Sequence, residues 1–247
     1  MGPVWAGLGL NSERSGMQQM VKWLEAADLA GLLNSQKTDE PWALVADLRD
    51  PRVLPLLRPP PTLSDYADER RPGASDRGWF LARRAATRSL AALFCGCETD
   101  GIVIGYDAPG APRVASGACF VSVGGRGPFA AIAVGRHPVG IDFEMVTDEV
   151  DIIPDVLHDD EKASLALLTA EQARRRFLQI WTLKEAFLKA LGSGLNVDPA
   201  SVATVFSNDH ATVLHRQAPA GTKAFIRNAE ISGFSFICAC VELAPAD

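Results

Sequence analysis

The sequence predicts an α+β fold, and three observations predict it. Short apolar runs bounded by glycine and proline recur in the middle of the chain and near its end, as strands joined by turns do. Two stretches, residues 76–94 and 177–191, repeat apolar side chains at helical spacing, with Gly96 and Gly192 placed to stop them. Between those helices, Gly140-Ile-Asp-Phe-Glu144 follows the apolar run Ala131-Ile-Ala-Val134 and reads as a buried strand carrying two acids.

The elements follow in order. Met17, Met20, Val21, Leu24, Leu29, Leu32 and Leu33 predict a peripheral N-terminal helix over residues 16–33, weakened by Gly31. Trp42-Ala-Leu-Val-Ala-Asp47 predicts a first strand, after which Pro51, Pro55 and Pro59 to Pro61 break regular structure. Ser64 can cap a short helix over residues 64–71, which carries Arg70 and Arg71. In the helix over residues 76–94, Arg77, Arg83, Arg84 and Arg88 are too many charges to bury together, so most are expected to face solvent or an anionic ligand. Strands are expected at 101–106, 118–123 and 129–134. Gly124-Gly-Arg-Gly127 reads as a hairpin turn and not as an anion cradle, because no helix follows it. Past an acidic link at 147–154, a helix starts at Asp159 or Asp160. A second starts near Thr169, where Gln172 can complete a capping arrangement. Strands at 201–206, 211–217, 223–226 and 234–243 close the chain.

Composition narrows the function classes. The chain has 247 residues, 47% of them hydrophobic, which gives room for one large domain or two small ones around a sizeable core. A net charge of −6 argues against general attraction to nucleic acid. No apolar run approaches the roughly twenty residues that span a bilayer. The N-terminus has no basic region ahead of its apolar stretch, which points to a cytoplasmic protein. Five cysteines, an odd number, do not suggest a disulfide framework. The one-residue gaps of Cys95-Gly-Cys97 and Cys238-Ala-Cys240 do not suit zinc, so buried thiols are expected.

Two places carry chemistry. On a strand, Asp142 and Glu144 share a face, and two desolvated carboxylates side by side need a cation or a shared proton. Oxygen ligands of this kind suit Mg²⁺; a solvated acidic edge is the alternative. On the helix over residues 177–191, Glu185 and Lys189 are four apart and share a face, with Lys184 beside them. Alone, that spacing describes an ordinary surface ion pair.

Taken together, Val139-Gly-Ile-Asp-Phe-Glu144 and Trp181-Thr-Leu-Lys-Glu-Ala-Phe-Leu-Lys189, about forty residues apart, resemble the phosphopantetheinyl transferase superfamily. The length resembles the larger, surfactin-synthetase-activating type. That resemblance implies two similar α/β halves forming a pseudo-dimer, here residues 1–137 and 138–247, in a monomer. It implies Mg²⁺-dependent transfer of the phosphopantetheine arm from coenzyme A to a serine of an acyl or peptidyl carrier protein. Asp142, Glu144 and Glu185 would hold the metal, and Glu185 and Lys189 would be catalytic. Arg70, Arg71, Arg77, Ser122, Lys184 and Lys189 would contact the donor. Three positions depart from the pattern: Trp79 and Ala111 where the family often has a basic residue, and Val123 where it has a histidine on a donor phosphate. All three fall in the first half and remove an anion contact. A second reading follows: a diverged member that uses another pyrophosphate donor, or only binds a partner. A metal-dependent nuclease is disfavoured by the acidic charge.

Overall fold

The computed structural model describes residues 21–32, 39–58, 62, 77–107, 110–147, 149–193, 196–207 and 210–245. Strand Lys22–Leu24 (β1) and a single helical turn, Leu29–Leu32 (α1), precede strand Trp42–Asp47 (β2). A second turn, Leu54–Leu57 (α2), leads to the long helix Arg77–Cys95 (α3). Five strands follow: Ile104–Tyr106 (β3), Pro112–Val114 (β4), Phe120–Arg126 (β5), Phe129–Gly135 (β6) and Val139–Met145 (β7). Helices Asp159–Leu165 (α4) and Ala170–Leu191 (α5) come next. Strands Ala203–Ser207 (β8), His210–Leu214 (β9), Lys223–Ile231 (β10) and Phe234–Glu242 (β11) complete the chain.

β2 is buried at every position, so it needs a layer on each side. Trp42, Leu44 and Ala46 point into a core with Leu90, Ala91 and Phe94 of α3. Ala43 and Val45 point the other way, into a core shared with Ile141 and Phe143 of β7 and Cys238 and Cys240 of β11. β11 turns Ile237, Ala239 and Val241 outward onto Leu183, Ala186 and Phe187 of α5. The stack is therefore α3, sheet, sheet, α5, with the alternation of each strand deciding which layer a residue joins.

The strand order repeats. One sheet runs β1-β2-β6-β5 and the other β7-β11-β10-β9-β8. In each, a strand that precedes a long helix pairs antiparallel with the sheet's last strand, and that strand pairs with the one before it: β2-β6-β5 and β7-β11-β10. This is the two-half architecture expected from the resemblance, although the sequence shows no repeat.

Two expectations are corrected. Of the helix expected over residues 16–33, positions 16–20 and 33 lie outside the described residues; among the rest, residues 22–24 form a strand parallel to β2, and one helical turn, Leu29–Leu32, follows. The Lys22 N–H bonds to Pro41 O, and Leu24 fills the core beside Leu44, so tertiary pairing overrides a weak helical pattern broken by Gly31. Arg83, Arg84 and Arg88, expected mainly at solvent, are buried. Arg83 donates to Gly127 O at 3.0 Å and Arg84 to Ile104 O at 2.6 Å, with the Arg84 guanidinium over the Tyr106 ring. Long arginine stems can lie along the helix while main-chain carbonyls take the head group. The helix expected at 64–71 lies outside the described residues.

Candidate active site

The site begins with how α5 sits on β7. Thr169 and Gln172 cap the helix reciprocally, and Gly192 ends it in the left-handed conformation at φ 66°. A Cβ on Gly140 would lie 1.9 Å from Ala186 O and 2.5 Å from Ala190 N, so helix backbone rests directly on strand backbone. Asp142 and Glu144 share the face of Gly140. They therefore meet the helix stripe Trp181, Glu185 and Lys189, whose members stand four residues apart.

The Lys189 ammonium donates to Asp142 Oδ1 at 2.6 Å and to Ile141 O at 3.1 Å. Asp142 Oδ2 is buried and has no hydrogen-bond partner among the described residues. Burial pushes the Asp142 carboxyl up, and the Lys189 ammonium opposes the rise. Glu144 is pushed up by burial and then by the charge of Asp142; Arg126 and a hydrogen bond from Trp181 oppose this. The Arg126 guanidinium, on the β5–β6 hairpin, stands 3.8 Å from Glu144. Glu185 is also pushed up, by burial first; Lys189 lowers it and Asp142 raises it. Three carboxyls held above their ordinary range around one lysine form a site short of positive charge.

Among the described residues, no three His, Cys, Asp or Glu side chains are gathered closely enough to hold an ion as placed. The chemistry of the donor set nevertheless fits a hard divalent cation. Only oxygens are offered, Asp142 Oδ2 is an orphaned buried acceptor, and all three carboxyls would be relieved by a positive charge.

The other candidate residues are dispersed. Lys184 lies apart from these carboxylates, fully buried, where its ammonium meets Glu161 at 2.6 Å, Val156 O at 2.8 Å and Pro199 O at 3.0 Å. Those three contacts use all three ammonium protons, leaving none for a phosphate. Ser122 is buried on β5 and accepts from the Ile141 N–H at 3.1 Å. Arg77 is exposed at the start of α3. Arg70 and Arg71 lie outside the described residues. Trp79 packs against the core between α3 and its sheet, which accounts for an apolar residue there.

Two cavities flank the site. One, of about 390 Å³, is lined by Ala111, Arg113, Phe120, Val139, Lys189 and Gly192. The other, of about 240 Å³, is lined by Phe80, Arg83, Arg84, Tyr106, Val123 and Gly124. Trp181 and Arg126 are the site neighbours that sequence reasoning did not single out. Trp181 had a signal, since it continues the four-residue spacing of Glu185 and Lys189. In the sequence Arg126 reads only as part of a hairpin turn, because its approach to Glu144 depends on how the two sheets stack.

Residues 138–241, from just before β7 into β11, match the family model for the 4'-phosphopantetheinyl transferase superfamily. The chain is 30% identical over 86 residues to 4'-phosphopantetheinyl transferase gsp of Aneurinibacillus migulanus, a match covering 34% of this chain and 36% of that one. It is 28% identical over 124 residues to the 4'-phosphopantetheinyl transferase of Bacillus subtilis, covering 49% and 55%. The match thus spans between about a third and about half the length of these relatives. Among solved structures, Thermotoga maritima holo-(acyl-carrier-protein) synthase aligns with 44% of this chain and 66% of its own at 24% identity, with a TM-score of 0.36.

Proposed function

We propose, from the premise that residues 138–241 belong to the 4'-phosphopantetheinyl transferase superfamily, that this protein moves the phosphopantetheine arm of coenzyme A onto a serine hydroxyl of an acyl or peptidyl carrier protein. The observation that carries the reading is the Lys189–Asp142 pair, seated where α5 crosses β7 with Glu144 and Glu185 beside it. In the reaction the serine oxygen bonds to the phosphorus that bears the pantetheine arm. The bond from that phosphorus to the adenosine-bearing phosphate breaks, and the serine gives up its proton. Glu185 orients the hydroxyl or takes that proton, directly or through water. The Lys189 ammonium supplies positive charge beside the phosphoryl group as negative charge builds on it. Asp142, Glu144 and Glu185 would hold Mg²⁺, which when bound supplies charge neutralisation at the pyrophosphate. Arg70, Arg71 and Arg77 are the candidates for the outer phosphates; Lys184 is left out because its protons are spent. The same reading divides the chain into residues 1–137 and 138–247, which the repeated strand order supports.

The test is mass spectrometry of several apo carrier proteins incubated with coenzyme A and Mg²⁺. The expected result is addition of the phosphopantetheine arm to at least one carrier, lost in Asp142→Ala. No modification of any carrier, with no coenzyme A binding by calorimetry, overturns the proposal. That outcome would favour a diverged member, a reading supported by Ala111 and Val123, which line the two cavities without offering a side-chain donor.

A further inference from the structure

One residue of β7, Ile141, has both its main-chain polar groups held from outside its own sheet. β7 is an edge strand of its sheet, and β5 is an edge strand of the other. In an antiparallel ladder, every second residue exchanges no main-chain bond with its partner and offers N–H and C=O elsewhere. Ile141 makes such bonds elsewhere: its N–H donates to Ser122 Oγ at 3.1 Å and its C=O accepts from Lys189 Nζ at 3.1 Å. The same ammonium donates to Asp142 Oδ1 at 2.6 Å. Two of its acceptors thus come from consecutive residues of one strand, so its position follows the setting of that segment. Ser122 ties the segment to the opposite sheet. Its ladder neighbour on β6 is the small Ala133, and the serine is itself buried. Two residues further along β5, a Cβ on Gly124 would lie 3.6 Å from Lys189 Nζ and 3.3 Å from the Phe143 ring, so β5 passes closely beside the ammonium.

We infer that Ser122 is a positioning residue: by holding the Ile141 N–H it fixes the strand segment that aims Lys189. The inference deepens the transfer reading and rests on it for its kinetic consequence. Ser122 need touch no reacting atom. Removing the hydroxyl leaves a buried N–H without its acceptor, and the strand segment relaxes. The ammonium loses the alignment that the carbonyl and carboxylate share. Threonine restores the acceptor on a β-branched side chain suited to a strand.

The experiment measures transfer to a carrier protein alongside the Lys189 ammonium signal, assigned by ¹⁵N NMR with Lys189→Arg as the blank. For Ser122→Ala the expected result is a kcat lower by about five- to tenfold, the worth of one hydrogen bond, with KM for coenzyme A nearly unchanged. The Lys189 signal should shift or broaden in Ser122→Ala and return in Ser122→Thr, with kcat. A kcat within about twofold of wild type in Ser122→Ala overturns the inference. A change confined to KM also overturns it, since that would make Ser122 a substrate contact. If the wild type transfers nothing, the transfer reading fails by itself, and the NMR comparison still decides the positioning: an unmoved Lys189 signal in Ser122→Ala refutes it. Should Ser122→Ala not fold, Ser122→Cys, similar in shape with a weaker acceptor, is read in the same way.

Discussion

Gly140→Ala tests whether α5 lies directly on β7. The added Cβ would sit 1.9 Å from Ala186 O, 2.5 Å from Ala190 N and 3.0 Å from Ala186 C. Ordinary contact needs about 3.4 Å, so helix and strand must part by about 1.5 Å. Every atom in the way is backbone, and no rotamer change can relieve it. Separation loosens the core that Leu183, Ala186 and Phe187 form with β11. Overpacking normally costs about 1–3 kcal/mol, and a clash with helix backbone should reach about 3–5 kcal/mol. For a chain of this size that is a fall in Tm of about 6–20 °C. Gly105→Ala is the control, because nothing lies within 4 Å of its Cβ position and its backbone is not left-handed. Thermal unfolding followed by circular dichroism is the assay. A Gly140→Ala protein melting within about 2 °C of wild type would refute direct backbone contact, and with it the placement of Lys189 against Asp142.

Two further outcomes concern groups away from the transfer chemistry. Glu161→Gln should lower stability by about 3–5 kcal/mol in urea titration, because it leaves the fully buried Lys184 without its counter-charge; adding Lys184→Met should recover part of that loss, and a cost below about 1 kcal/mol would show the pair to be unimportant. Asp47 is held down at about 2, first by hydrogen bonds from Arg49 and also by one from Ser232. Its folded pKa lies below its unfolded one, so its stabilisation is present above the unfolded value and is lost as pH falls toward 2. That stabilisation should be about 1–2 kcal/mol after allowing for the exposure of Arg49, and urea midpoints in Asp47→Asn should be correspondingly flatter between about pH 4 and pH 2.

Much of the fold could be read from local pattern because the relevant forces are local. α3 and α5 announce themselves by periodicity, and α5 by both its caps. β7 was legible as a strand because Val139, Ile141 and Phe143 alternate with Gly140, Asp142 and Glu144, and the core takes the first set. β1 was not legible. Its three residues are a strand only because β2 offers an edge, and that edge belongs to the fold and not to the segment. The buried arginines of α3 were misread for a similar reason. Burial is costly for an arginine in general, but Gly125 and the carbonyls of Gly127 and Ile104 give Arg83 and Arg84 specific seats.

The two lysines of the signature helix show where finer reading was possible. The family resemblance implies donor contacts for both Lys184 and Lys189. Five residues at about 100° each put them roughly 140° apart around the helix, so both could not face β7. Glu185 and Lys189, four apart, could. Helical phase alone thus assigns one lysine to the acids of β7 and sends the other away. It does not say where Lys184 goes. Its partner Glu161 is reached through α4, whose His158 cap donates its N–H to that same carboxylate, while Thr204 of β8 donates to it from the far side. A carboxylate already holding a helix cap and a strand is fixed in place, which is why a buried lysine can be built against it. That pair anchors α5 from behind while Gly140 lets it down onto β7 in front, and Lys189 meets Asp142 where the two constraints agree.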